Sequence, residues 1–209
     1  MPWAWAALRI LPAVRGKRIQ VMDDIELEEL GFEPASSYPS VCLPPGIDVT
    51  FAVDVEVISV NVDQRQLDAW EMTAERVLPA AMANLGRAVG SWRGRAYDDE
   101  YEGVPLRLLE GWPQWASSLV LLPDQLARIF GHEDRLLVAP YQCNLISFPV
   151  DIDREVAADI VDMFGAINPT SLLIGMPAFV LRDGELSTEE LPGFPDQPVH
   201  ARTTRRNRR

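Results

Sequence analysis

Leu136-Leu137-Val138-Ala139-Pro140-Tyr141-Gln142-Cys143-Asn144-Leu145-Ile146-Ser147-Phe148 holds two short apolar runs on either side of a proline-led break. Runs of this length and composition, parted by a turn signal, read as an antiparallel hairpin: Leu136–Ala139, a turn at 140–142, then Cys143–Phe148. Downstream, Asp153 is placed to cap a helix with Val156, Ala157, Ile160, Val161 and Phe164 on one face, ended by Gly165. A last strand, Ala178–Leu181, runs into the turn Arg182-Asp183-Gly184. Upstream, Val104–Leu109 and Leu119–Leu122 read as short strands. Pro123 opens a helix carrying Leu126, Ile129 and Phe130, and Gly131 closes it.

The first half repeats the mixture. Val49, Phe51, Val53, Val55 and Val57 alternate with mostly polar neighbours; the phase then flips to Ile58, Val60 and Val62, which predicts a turn or bulge near 54–58. Leu67 and Trp70 follow, then Thr73 as an N-cap. Val77, Leu78, Ala81, Met82, Leu85 and Val89 form one helical face, with Pro79 expected to kink the helix or delay its start. A short acidic helix is expected at Asp23–Leu30, ended by Gly31. Strand, helix, hairpin, helix and strand in this order predict an α+β fold: a mainly antiparallel sheet with packed helices in a single compact domain.

The domain is expected over 23–186, with 23–90 and 104–186 as its two halves. Residues 1–22 are set apart as a basic, aromatic extension by two tryptophans followed by Arg9, Arg15, Lys17 and Arg18. Residues 187–209, Pro-rich and then Arg-rich, are expected to be a disordered basic tail.

Charge divides the same way. The net charge is −12, yet residues 202–209 hold five arginines and no acid, so the rest carries 14 basic groups against 31 acidic ones, a net −17. Such a body repels phosphate backbones, which leaves the tail as the only route to nucleic acid. The longest apolar stretch near the start is cut by Arg9, and no run approaches the ~18 residues of a membrane span, so a cytoplasmic protein is expected.

Several chemistries lack their residues. Lys17 is the only lysine, and Leu11 stands where the first glycine of a phosphate-binding loop belongs. None of the ten serines has glycine two residues before it, so the nucleophile elbow is missing. No two glycines are separated by a single residue, as the dinucleotide fingerprint requires. His132, just after Gly131, is the only histidine within the expected domain and reads as a solvated helix-end residue. Cys42 and Cys143 are too far apart for paired zinc ligands, and Val156 replaces the glycine that a calcium loop starting at Asp151 would need. The expectation is therefore no metal, no cofactor and no assigned catalytic residue.

One cluster stands out. Trp92, Tyr97, Tyr101, Trp112 and Trp115 are half of the Trp and Tyr of the chain, and Asp98, Asp99, Glu100 and Glu102 lie among them. Aromatic faces beside carboxylates suit a cationic group, through quadrupole attraction and charge pairing. Trp92, Tyr97, Asp98, Asp99, Tyr101, Trp112 and Trp115 are thus the candidate binding residues of an acidic aromatic loop. The expected partner is a protein or a cationic ligand, and the basic tail is one such cation. A non-enzymatic binding module is the leading expectation. The alternatives are a hydrolase with a carboxylate-based site and a nucleic-acid accessory acting through the tail.

Two sets of segments carry a family likeness. The first is Val49–Val53, Leu67-Asp68-Ala69-Trp70 and Ala80-Ala81-Met82-Ala83-Asn84-Leu85. The second is Ala116-Ser117-Ser118-Leu119, Arg135–Pro140 and Phe179–Gly184. In order and spacing they resemble the YtpQ-like family of uncharacterised bacterial proteins, over about half of the chain. Tyr141-Gln142-Cys143 departs from the charged turn of that family. The resemblance implies an α+β fold and carries over no catalytic residue.

Overall fold

The computed structural model describes residues 1–15, 38–44, 46–55, 58–111, 113–140, 143–167, 178–189 and 191. The acidic helix expected at Asp23–Leu30 lies outside them, as do His200 and residues 192–209.

A short helix, α1 (Trp3–Ala6), leads into strand β1 (Ile10–Arg15), which pairs antiparallel with the long strand β3 (Ile47–Val55). The other edge of β3 is shared by β2 (Val41–Leu43) and β4 (Ile58–Asn61). The phase flip in the sequence is thus the reversal from β3 to β4, with Val55 opposite Ile58. Of the stretch 1–22 set apart by composition, the described part, residues 1–15, does not stand outside the fold: Ile10 pairs with Val53 and Val14 with Val49, all four fully buried. A largely apolar Ile-Leu-Pro-Ala-Val segment shows no period-2 alternation because it is covered on both faces, so composition alone misjudged it.

Two helices follow. In α2 (Gln64–Ala69) the Asp63 carboxylate accepts the Gln66 backbone N–H at 2.7 Å and caps the start. In α3 (Ala74–Ser91) the residues Val77, Ala81, Leu85 and Val89, four apart, are fully buried. Pro79 does not delay this helix, which runs through it from Thr73.

A six-stranded antiparallel sheet is built from β5 (Ala96–Tyr101), β6 (Val104–Leu109), β7 (Arg135–Val138), β8 (Ile146–Pro149), β9 (Ala178–Arg182) and β10 (Glu185–Glu189). Their spatial order is β10-β9-β7-β8-β6-β5. The hairpin expected around Pro140 is β7–β8, with Leu136 opposite Phe148, at the centre of this sheet. Leu119–Leu122, expected as a strand, instead falls in a 3-10 helix over Ala116–Leu121, with Leu122 leading into α4 (Pro123–Phe130). Gly165 does not end α5 (Arg154–Ile167), which continues two residues past it. The tail does not begin at residue 187 either. Asp183 and Gly184 turn the chain at positive φ (49° and 80°), and Glu185–Glu189 pair back onto Ala178–Arg182.

Period-2 alternation sends the strands of this sheet into two cores. Leu137, Phe179 and Leu181 face a first cluster with β1, β3, α3, α4 and the 3-10 helix. Leu136, Val138, Ile146, Phe148 and Val180 face a second cluster under Ala157, Ile160 and Val161 of α5. Helices plus antiparallel sheets make this an α+β fold.

Candidate interaction surface at the β5–β6 hairpin

Ala-Tyr-Asp-Asp-Glu-Tyr is a poor strand sequence by propensity, and it lies within the stretch that the sequence presents as an acidic aromatic loop. The structure makes 96–101 a strand because of what lies beside it. Leu106 and Leu108 of β6 enter the second core and Leu109 the first. Burying each is worth roughly 1.5–3 kcal/mol, whereas strand propensities span only ~1 kcal/mol. Glu102 (φ 49°) and Gly103 (φ 83°) close the hairpin with left-handed conformations at both turn residues, the geometry that matches strand twist.

The register fixes which side each residue shows. Tyr97 lies opposite Leu108, Asp98 opposite Arg107, Asp99 opposite Leu106 and Tyr101 opposite Val104. The Glu110 N–H donates to the Arg95 carbonyl at 2.9 Å, so backbone groups of 95, 97, 99 and 101 point toward β6. Those of Ala96, Asp98 and Glu100 point outward. β5 ends the order of the sheet, and among the described residues no strand pairs its outer side. One outward group is already occupied, since the Glu100 N–H donates to Asp99 Oδ1 at 2.8 Å.

Two aromatics and two carboxylates of the candidate set share this edge, Tyr97, Asp99 and Tyr101 on one face and Asp98 on the other. Tyr97 and Tyr101 pack half-buried on the second core, and Asp99 lies between them in the strand. Burial pushes the Tyr97 phenol above its ordinary pKa, and the charges of Asp99 and Glu110 add to the effect. Asp98, Asp99 and Glu100 are exposed. Asp98 pairs with the Arg107 guanidinium, whose Nη1 donates to the Phe130 carbonyl at 2.6 Å, placing a cation at the C-terminus of α4. The Arg95–Glu110 pair, at 3.9 Å and largely exposed, is worth little.

The tryptophans belong elsewhere. Trp92 caps α3, and Trp115 is only 7% exposed; their rings meet edge to face, 5.6 Å apart at 88°, at the first core. They anchor the base of the hairpin behind the sheet. Trp112 lies outside the described residues. The aromatics are therefore divided between the two cores, and the surface keeps Tyr97, Asp98, Asp99 and Tyr101.

At the hairpin tip an open depression of about 400 Å³ is lined by Gly103, Val104, Pro105, Pro149, Asp151 and Ile152. Sequence reasoning missed it, because Pro149–Ile152 read only as an approach to the Asp153 cap; nothing local says that β8 returns beside the β6 turn. Elsewhere His132 is exposed, and Cys42 and Cys143 are free. Burial raises the Cys143 thiol pKa. Among the described residues no group of three or more His, Cys, Asp or Glu is placed to hold a metal ion, and no helix is long and apolar enough to cross a membrane. No family model, curated protein or solved structure matches the chain.

Proposed function

We propose that the chain is a binding module that takes a basic, extended segment of a partner protein along the outer edge of β5. The observation that carries this is the edge itself: outward backbone groups at Ala96 and Asp98 run beside exposed Asp98, Asp99 and Glu100. An added strand gains main-chain hydrogen bonds. The carboxylates keep neutral or acidic strands away and favour basic ones. The depression at the tip offers Val104, Pro105, Pro149 and Ile152 to an aliphatic stem, with Asp151 for a charged head. A carboxylate hydrolase would need two acids facing one another across a cleft, and Asp151 is the one acid in this lining. Kinship with the YtpQ-like proteins, proposed on the segments quoted above, brings no activity with it.

The test is fluorescence anisotropy with a labelled peptide of alternating arginine and threonine, at about 50 mM and 300 mM salt. Asp99→Asn with Glu100→Gln is expected to weaken binding about tenfold at low salt. The loss should shrink at high salt, where screening over about a Debye length removes the charge contribution. Equal affinity of the variant and the original protein at low salt overturns the proposal.

A further inference from the structure

The five arginines of residues 202–209 belong to the same chain as the acidic edge. Resting on the reading of β5 as a docking edge, we infer that this tail is the intramolecular occupant of that edge and competes with the partner for it.

Reach allows it. Glu189 ends β10, and β10 and β5 are the two outermost strands of the six-stranded sheet. Leu191 is buried in the second core, so the reach is counted from residue 192. Five inter-strand spacings amount to about 24 Å, and an extended chain over residues 192–201 reaches up to about 35 Å. Charge pattern selects it. Placed as a strand, Arg202-Thr203-Thr204-Arg205-Arg206-Asn207-Arg208-Arg209 sends Arg206 and Arg208 to one face and Arg205 and Arg209 to the other. β5 is two-sided in the same way, with Glu100 on one face beside the Arg107-paired Asp98, and Asp99 between Tyr97 and Tyr101 on the other. An arginine between those tyrosines gains cation–π attraction as well as charge pairing. The tail is the most basic stretch of the chain, with five arginines in eight residues against three basic residues in Arg15-Gly16-Lys17-Arg18, so it is the strongest cation that this protein itself supplies. Because the tail is tethered, it acts at an effective concentration of about 1 mM, and with a Kd of about 0.1 mM for the edge it weakens the binding of a competing peptide roughly tenfold. The edge then opens only to partners that outbid the tail, or when the tail is drawn away by a polyanion.

The experiment uses the full chain with Arg202, Arg205, Arg206, Arg208 and Arg209 all changed to glutamine, beside the original protein. The probe is a labelled peptide of residues 199–209. The variant is expected to bind the probe about tenfold more tightly than the original at 50 mM salt, and adding Asp99→Asn and Glu100→Gln should remove that gain. Equal binding by both proteins overturns self-docking while leaving the edge as a partner site. Failure of either to bind any arginine-rich peptide overturns the docking edge as well. Exclusion that grows with protein concentration places the tail on a second copy and overturns the intramolecular form.

Discussion

Asn84 shows how much can depend on one side chain. Its Nδ2 donates to the carbonyls of Ala7 (3.0 Å) and Ile10 (2.7 Å), its oxygen accepts from Arg87, and it is 6% exposed. It ties α3 to the start of β1. Asn84→Ala leaves buried carbonyls without donors, so we expect a loss of about 1–3 kcal/mol, measured from the urea midpoint; a change under about 0.5 kcal/mol refutes this role. The apolar helical face read from the sequence, Val77 to Val89, does not include Asn84. The carbonyls it serves lie more than seventy residues away, beyond anything local spacing reports. A second residue-scale prediction concerns Glu189. It accepts from Arg154 Nε at 2.8 Å and Nη2 at 3.0 Å, and these hydrogen bonds hold its carboxyl below the ordinary pKa. A pKa lowered by folding contributes stability above the unfolded carboxylate pKa and loses it as pH falls toward the folded one. The stability gap between the original protein and Glu189→Gln should therefore narrow as pH drops below about 4.3. A gap constant from neutral to acid pH excludes the pair as a pH-linked contact.

At the scale of elements, α3 tolerates a residue that should break it. Pro79 lacks the N–H that would serve the carbonyl four residues earlier, yet the helix continues, because Val77, Ala81, Leu85 and Val89 are all fully buried. Pro79 itself is exposed, so Pro79→Ala creates no cavity. The interior-helix penalty of about 3 kcal/mol is relieved, offset by about 1 kcal/mol of regained unfolded-state freedom. A net gain of about 1–2 kcal/mol is expected in the urea midpoint, and a loss would mean that the proline is accommodated without strain. The β5–β6 turn behaves in the opposite sense. A Cβ at Gly103 would meet nothing within 4 Å, so only φ +83° opposes Gly103→Ala, and the expected cost is about 1–2 kcal/mol. Legibility of the elements follows covering. The helix α3 and the β7–β8 hairpin were legible because α3 is buried on one side and the β7–β8 strands form short apolar runs. β1 was not, being buried on both faces and interrupted by Pro12; β5 was not, because three acids in a row mask a strand that only its apolar neighbour β6 explains. Asp183-Gly184 announced a turn, but Glu185–Glu189 has Leu186 as its one apolar residue and so gave no alternation to mark the strand beyond it.

For the whole molecule, the central question is whether two cores make one cooperative unit. The halves 23–90 and 104–186 do not pack separately: the first core draws on β3 and α3 from one, on Leu126, Leu137 and Phe179 from the other, and on β1 from outside both. The larger sheet separates the cores by one layer of backbone, with Leu136 in the second and its neighbour Leu137 in the first. Losing either core therefore strips one face of every central strand of its partners, and neither face is left with enough burial to hold the sheet. Two sets of chromophores report on the cores separately. Trp70, Trp92 and Trp115 lie at the first core, Tyr97 and Tyr101 at the second. Tryptophan fluorescence and tyrosine absorbance should give coincident urea midpoints, as two-state unfolding requires. Leu85→Ala in the first core and Leu136→Ala in the second should each cost about 2–5 kcal/mol and move both signals together. A Leu136→Ala protein whose tyrosine midpoint falls while its tryptophan midpoint stays in place would show that the second core melts alone. The β5 edge, whose tyrosines pack on that core, would then be lost before the rest of the fold.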